Sequence, residues 1–553
     1  MITYAISVRD PHAHLFRVSC RVAVPDPAGQ AFRLPAWIPG SYLVREFARH
    51  VVEAWAECEG QPVACDKTDK ATWQCEPVQG ELTFNWDVYA WDLSVRGAFL
   101  DAGRGYFNGP CVFPAVVGRE HEPCSVTLAA PAHATGWQVA TTLPALQVDA
   151  RGFGDYRAAD YATLIDHPVE MGCFTRLAFT ARGVPHEVVI SGVHRVDGER
   201  LVRDLELICS AHIDLFGGTA PFSRYLFQVM VTADGYGGLE HADCTSLIAA
   251  RDDLPQPGEA ADALREGYRS FLGLCSHEYF HAWNVKRIRP LAVARNDLSG
   301  EAYTSLLWAF EGVTSYYDDL MLVRAGVITP ASWLELTGRM ITRVLRSPGR
   351  ALQSVAESSF DAWIKFYRQD ENAPNAQVSY YAKGALVALG LDMELRRLSG
   401  GTRSLDDVMR LLWQRYGRSD VGVPEDGIEL AAAEVAGVPL ADFFAEHVYG
   451  VAELPLADWL APMDVEVGLR AAESAVDKGG TLGKGAAPAR PWAGAQTVQD
   501  ALGARVQFCF ADGPAMRAGM SAGDVIVAID GLRATHANLD KLLQFRTPGE
   551  AVE

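Results

Sequence analysis

The spacing of apolar positions changes along the chain. Up to about residue 170, apolar and polar residues alternate in short runs, such as Phe16-Arg-Val-Ser-Cys-Arg-Val-Ala-Val24 and Leu82-Thr-Phe-Asn-Trp-Asp-Val88, broken by Pro, Gly and Asp. Alternation places every second side chain on one face of a strand, so this region reads as β-rich and sandwich-like. Strands are expected to continue to about residue 250, including Glu187-Val-Val-Ile-Ser191 and Leu226-Phe-Gln-Val-Met-Val-Thr232. From Gly258 to about Tyr449 apolar residues recur at helical spacing instead. The spacing predicts helices over about 260–285, 303–324 and 379–395, the second stopped by Gly326 as a C-cap, with several more up to Pro455. Residues 470–496, rich in Gly, Ala and Pro, read as a linker or long loop, with Lys478-Gly-Gly and Lys484-Gly-Ala-Ala-Pro inside it. The tail from about 497 is β-like again. These shifts predict a multidomain α+β chain with a β-rich domain over 1–170, a mostly helical domain over 171–460 and a last domain over 461–553.

Composition narrows the partners. The 553 residues carry a net charge of −20. A phosphate-backbone partner calls for clustered Lys and Arg, so nucleic acid is not expected. The 11 Cys are scattered and contain no CxxC pair, which suggests free thiols in a reducing compartment rather than a disulfide framework. The N-terminus starts on a strand pattern without a basic and apolar leader, and no apolar run reaches the length of a membrane span. The expected location is the cytoplasm, with no membrane partner. Trp37-Ile-Pro-Gly-Ser-Tyr42 reads as a packed corner.

The candidate chemistry lies in Ser276-His277-Glu278-Tyr279-Phe280-His281, which contains HExxH. On a helix, residues four apart share one face, about 6 Å apart, so His277 and His281 can hold one Zn²⁺. Glu278 faces the same cleft, placed to act as a base. Catalytic zinc needs a third protein ligand and an open position. No further His follows at the spacing of the extended motifs, since position 287 is Arg. Glu311, inside the apolar stretch Leu306-Leu-Trp-Ala-Phe310 and Gly312-Val313, is the leading third ligand, because a carboxylate there is costly to bury without a cation. Glu301, Asp318 and Asp319 are its rivals.

His277-Glu-Tyr-Phe-His-Ala-Trp-Asn-Val-Lys-Arg-Ile-Arg-Pro290, with Phe310-Glu-Gly-Val-Thr-Ser-Tyr-Tyr317, resembles the glycyl aminopeptidase family of gluzincin zinc metallopeptidases. Trp37-Ile-Pro-Gly-Ser-Tyr42 is similar to that family's N-terminal signature. The resemblance implies a thermolysin-like catalytic domain over 171–460, with His277, His281 and Glu311 as zinc ligands and Glu278 as general base. It also implies removal of small N-terminal residues such as Gly or Ala from peptides with a free N-terminus. Gly237-Gly238-Leu-Glu240-His241 is similar to the GxMEN exopeptidase motif, with Leu239 for Met and His241 for Asn. That likeness implies that Glu240 binds the substrate's α-ammonium beside the Gly237-Gly238 backbone. Tyr380-Tyr381-Ala-Lys-Gly384 resembles the YxKG segment, which implies that Tyr381 stabilises the oxyanion. Ala511 to Gly531 looks like a PDZ core, which implies a peptide ligand for a last domain over 461–553, with a last strand expected where the chain ends at Glu553. The residues leave two rivals open: a thermolysin-type endopeptidase on the same zinc chemistry, and a PDZ-bearing scaffold with an inactive site.

Overall fold

The structure is a computed structural model that describes residues 2–553 apart from 133, 261–262, 475 and 483–489. The chain divides into two compact units: residues 1–302 with 324–328 and 413–423, and residues 303–323 with 329–412 and 424–553.

In the first unit the alternating runs form strands as expected. Ile2–Asp10 pairs with Leu15–Val22 on one side and Cys124–Leu128 on the other, near the middle of an eight-stranded sheet. Ile2, Tyr4 and Ile6 turn inward, so the period of two is satisfied by burial of one face. Two four-stranded sheets share the same apolar core, which includes a stack of Phe32 on Phe84 at 4.5 Å. The 11 cysteines are free, in line with the thiol reading.

The unit continues as a five-stranded sheet in the order Thr175–Ala181, Val184–Ser191, Tyr225–Thr232, Cys244–Ala250, Tyr236–Glu240. The last of these is an edge strand. One expectation is corrected here. Residues 198–215, read as part of a stretch of strands, form the 18-residue helix Gly198–Leu215. It joins two parallel strands, a connection that needs a crossover element. Leu201, Leu205, Ile208, His212 and Leu215 form its buried face, and the Asp197 side chain caps its start by accepting from Arg200 N–H.

The predicted helix over 260–285 is shorter, running from Glu266 to Phe280, and residues 261–262 lie outside the described part. It stops because the chain turns back on itself: Trp283 and Asn284 N–H groups both donate to the Phe280 carbonyl, and Ile288 N–H donates to that of Trp283.

In the second unit, the predicted helix over 303–324 starts late. Thr304 and Ser305 are held by the Glu425 carboxylate instead, at 2.6 Å from the Thr304 hydroxyl and 2.9 Å from Ser305 N–H. The helical path opens with a π-turn, Trp308–Gly312, and continues as Val313–Arg324. The predicted helix over 379–395 is Ala382–Ser399, ended by Gly400 at φ 63°. The tail forms a three-stranded sheet and a short hairpin, Ala528–Ile529 with Leu532–Arg533. Asp530 and Gly531 turn it with φ of 49° and 77°, the positive pair that a two-residue hairpin turn prefers. The Lys484-Gly-Ala-Ala-Pro part of the expected linker lies outside the described residues. Among the described residues no helix is long and apolar enough to cross a membrane.

Candidate active site

The helix Glu266–Phe280 carries His277 and Glu278 in its last turn, with His281 as its C-cap. The two imidazoles sit 4.7 Å apart, centre to centre, at 85°. The His281 ring donates from Nδ1 to the Asn284 carbonyl at 2.7 Å, since a carbonyl can only accept. That bond fixes the tautomer and leaves the Nε2 lone pair for a metal. The opposite face of the helix is locked by aromatic packing. Tyr279 is fully buried, its hydroxyl 2.9 Å from His186 Nε2, and Trp283 stacks on Phe216 at 4.9 Å. His186 and His212 pack behind the motif, and burial pushes both imidazoles down to about 4, so they stay neutral.

The edge strand Tyr236–Glu240 lies against this helix. A Cβ on Gly238 would collide with the Glu278 carboxylate, so only glycine permits the approach. The Gly238 carbonyl accepts from the Arg96 guanidinium at 3.0 Å. Glu240, at the strand end, is 3 % exposed, and Glu278 5 %. Carboxylate oxygens of both and a ring nitrogen of His281 lie within 4.8 Å of one another. Glu240 Oε1 has no hydrogen-bond partner among the described residues. A buried carboxylate oxygen in that state is costly unless a cation or donor meets it.

The corner 37–42 is packed, as expected: Trp37 and Tyr42 are fully buried, and Trp37 Nε1–H donates to the Gly300 carbonyl at 2.8 Å. The corner also does something the sequence reading missed. Gly40, at φ 90°, sits so close to the Glu240 carboxylate that a Cβ there would overlap it. The isolated signal was a glycine inside an aromatic turn, and nothing local linked it to a residue 200 positions on. Arg96 was missed for the same reason.

In the second unit Glu311 belongs to the π-turn and is 2 % exposed. Such turns insert one residue into a helix and recur at functional sites. Gly312 and Gly384 meet backbone to backbone: a Cβ on Gly312 would lie 2.6 Å from Gly384 Cα, and one on Gly384 would lie 3.1 Å from Gly312 Cα. The contact brings the start of Ala382–Ser399, and with it Tyr381, beside the Glu311 segment. Burial first, and the Glu311 carboxylate second, hold the Tyr381 hydroxyl protonated far above the ordinary phenol range. Its oxygen lies 3.0 Å from that of Tyr367. Tyr380 is fully buried and stacks on Tyr381 at 4.8 Å.

Two imidazoles on one helix face, one with its metal-side nitrogen fixed, are a donor pair suited to Zn²⁺. Comparison with known proteins gives the family. A description of the M61 peptidase N-terminal domain matches residues 3–173, and one of the M61 glycyl aminopeptidase matches residues 270–387. The crystal structure of an aminopeptidase N family protein from Idiomarina loihiensis is similar over 100% of this chain and 93% of its own, with 40% identity and a TM-score of 0.96. An M1 zinc metallopeptidase from Deinococcus radiodurans is similar over 82% of this chain and 94% of its own, with 15% identity and a TM-score of 0.51, a likeness of fold alone. A mutant of that enzyme is known with a Tyr-Ser-Ala substrate bound. A search of curated proteins finds no match. The chain therefore belongs to the M61 glycyl aminopeptidase family and is a zinc-dependent aminopeptidase.

Proposed function

We propose that this enzyme removes small N-terminal residues, Gly or Ala, from peptides, with His277, His281 and Glu311 as zinc ligands. The donor chemistry supports the set: two neutral imidazoles and one carboxylate leave a zinc site at net +1. When bound there, zinc supplies a Lewis acid that polarises a carbonyl and acidifies water. The chain's own groups do the rest. Glu278 takes a proton from the attacking water and returns it to the departing amine. Tyr381, held protonated, donates to the oxyanion that develops on the scissile carbonyl. Glu240 receives the α-ammonium, which sets the cut at the first peptide bond. Gly237 and Gly238 let the substrate backbone approach, and the edge strand offers it a place to lie extended.

The observation that carries this reading is the unpartnered, buried Glu240 oxygen beside Glu278 and His281. The preference for small residues is what the family likeness implies; Gly40 lies so close to the Glu240 carboxylate that a Cβ there would overlap it. The test compares one peptide with a free and an acetylated N-terminus. Cleavage should vanish on acetylation; undiminished cleavage refutes the ammonium anchor and favours an endopeptidase. Gly-, Ala- and Leu-terminated peptides then rank the pocket, with Leu expected to lose roughly 10- to 200-fold in kcat/KM per excluded methylene step or more.

The reading also assigns three domains, 1–170, a thermolysin-like peptidase domain over 171–460, and a PDZ domain over 461–553. The Asp530-Gly531 hairpin turn and the loop at Leu502-Gly503 support the last. A PDZ domain takes a peptide C-terminus, so amidating that terminus should abolish binding of a ligand peptide.

A further inference from the structure

Glu240 and His281 lie on different elements of the first unit, yet the turns that follow them are tied to one carboxylate. Asp166 caps the C-terminus of the short helix Tyr161–Ile165. Its Oδ1 accepts from Lys286 Nζ at 2.5 Å and lies 3.2 Å from His241 Nδ1. Its Oδ2 accepts from Ala242 N–H at 3.0 Å. His241 and Ala242 directly follow Glu240, in the turn that joins the edge strand to Cys244–Ala250, where His241 N–H donates to the Cys244 carbonyl at 2.9 Å. Asp243 of the same turn faces His167 Nε2 at 3.5 Å.

Lys286 sits in the turn after the metal helix. Its N–H donates to the His281 carbonyl at 3.0 Å, two residues beyond the Asn284 carbonyl that orients the His281 ring. Between them Val285 has φ 134°, a conformation that a β-branched residue adopts only when its surroundings force it. The Lys286–Asp166 ion pair is such a constraint, with side chains only 10% and 20% exposed. Burial alone would raise the Asp166 pKa, but the Lys286 ammonium and the His241 ring outweigh it and keep the carboxylate ionised well below the usual range.

We propose that Asp166 is a positioning residue for the aminopeptidase reaction: through His241–Ala242 and Lys286 it sets the spacing between the Glu240 ammonium anchor and the His281 turn. The inference rests on the reading of Glu240 given above. His241 and Ala242 directly follow Glu240, and Lys286 belongs to the turn whose Asn284 carbonyl orients His281, so the attachments of this carboxylate flank both candidate groups.

The test uses two zinc-binding probes that differ by one amine, glycine hydroxamate and acetohydroxamate, titrated calorimetrically into the full-length zinc-loaded protein. The ratio of their dissociation constants reports the ammonium anchor, and a general loss of stability moves both probes together. The unaltered protein should favour glycine hydroxamate by about tenfold or more, the size of one charge-assisted hydrogen bond. Glu240→Gln should bring the ratio near one. Asp166→Asn with Lys286→Met, which leaves no unpaired buried charge, should do the same while still binding acetohydroxamate, and Asp166→Glu should recover part of the ratio. Should the double variant not fold, His241→Leu removes one of the two contacts on the turn and should lower the ratio by a smaller factor. If Glu240→Gln collapses the ratio and the Asp166 and His241 variants keep it, the positioning role is refuted. If Glu240→Gln itself keeps the ratio, the anchor reading fails and the inference falls with it.

Discussion

The segments that carry the candidate groups differ in what holds them. Around Glu240, Glu278 and His281, position is set by charge and hydrogen bonds: Asp166 to Lys286 and Ala242, Asn284 to His281, Arg96 to Gly238. Around Glu311 and Tyr381 it is set by volume, because Gly312 and Gly384 allow two helical paths to touch at their backbones. The difference teaches what each can tolerate. The first region fails on a lost charge and also on an added methyl at Gly40 or Gly238, whereas the backbone contact of the second fails on an added methyl.

Substitutions can break or sharpen this contrast. The largest effect is expected for Glu278→Gln, which keeps volume and removes the base: kcat should fall by about 10²- to 10⁴-fold with little change in zinc content by atomic absorption. Persistent turnover would remove Glu278 from the reaction. Tyr381→Phe deletes one hydroxyl and should lower kcat by about 10²-fold with KM nearly unchanged, as read from steady-state kinetics. An equal loss in Tyr380→Phe would show that the effect is structural, since that ring is its buried neighbour. Gly312→Ala adds volume without charge and should cost about 1–3 kcal/mol, seen as a lower Tm in calorimetry. An unchanged Tm would mean that the two helical paths can part freely, and the contrast would collapse. The last effect is set by pH rather than by substitution. His186 and His212 are neutral when folded, with pKa values near 4 against an ordinary 6.5. The unfolded chain binds protons that the folded one refuses, so stability is full above about pH 6.5 and falls towards pH 4, by up to about 3 kcal/mol per histidine. Denaturant midpoints at pH 7 and pH 5 measure it, and His212→Gln should flatten the dependence.

Much of this was legible in the chain. The run from Phe16 and that from Leu82 form strands where their alternation says, because one face meets the core. His277 and His281, four residues apart, meet on one helix face, and Glu311, a carboxylate among apolar neighbours, is buried. What stayed hidden has physical causes. The helix Gly198–Leu215 was obscured by its position between strands of one sheet, where only pairing reveals the need for a crossover. Gly40 against Glu240, and Asp166 against Lys286, are contacts between residues far apart in sequence, fixed by the fold and by no local pattern. The late start of the helical path at Trp308 depended on Glu425, more than a hundred residues on, capturing Thr304 and Ser305.

The π-turn at Trp308–Gly312 makes this region unusually intolerant of changes in length. One residue more than an α-helix would hold is stored there. Deleting a single residue from those five would let the chain close into a regular helix, with the flanking turns kept in phase because the wide turn had absorbed the extra residue. The residues of the wide turn itself, Glu311 among them, would then change the face they present, while composition, charge and hydropathy stayed almost unaltered. The placement of this carboxylate therefore depends on the number of residues in one turn as well as on their kind.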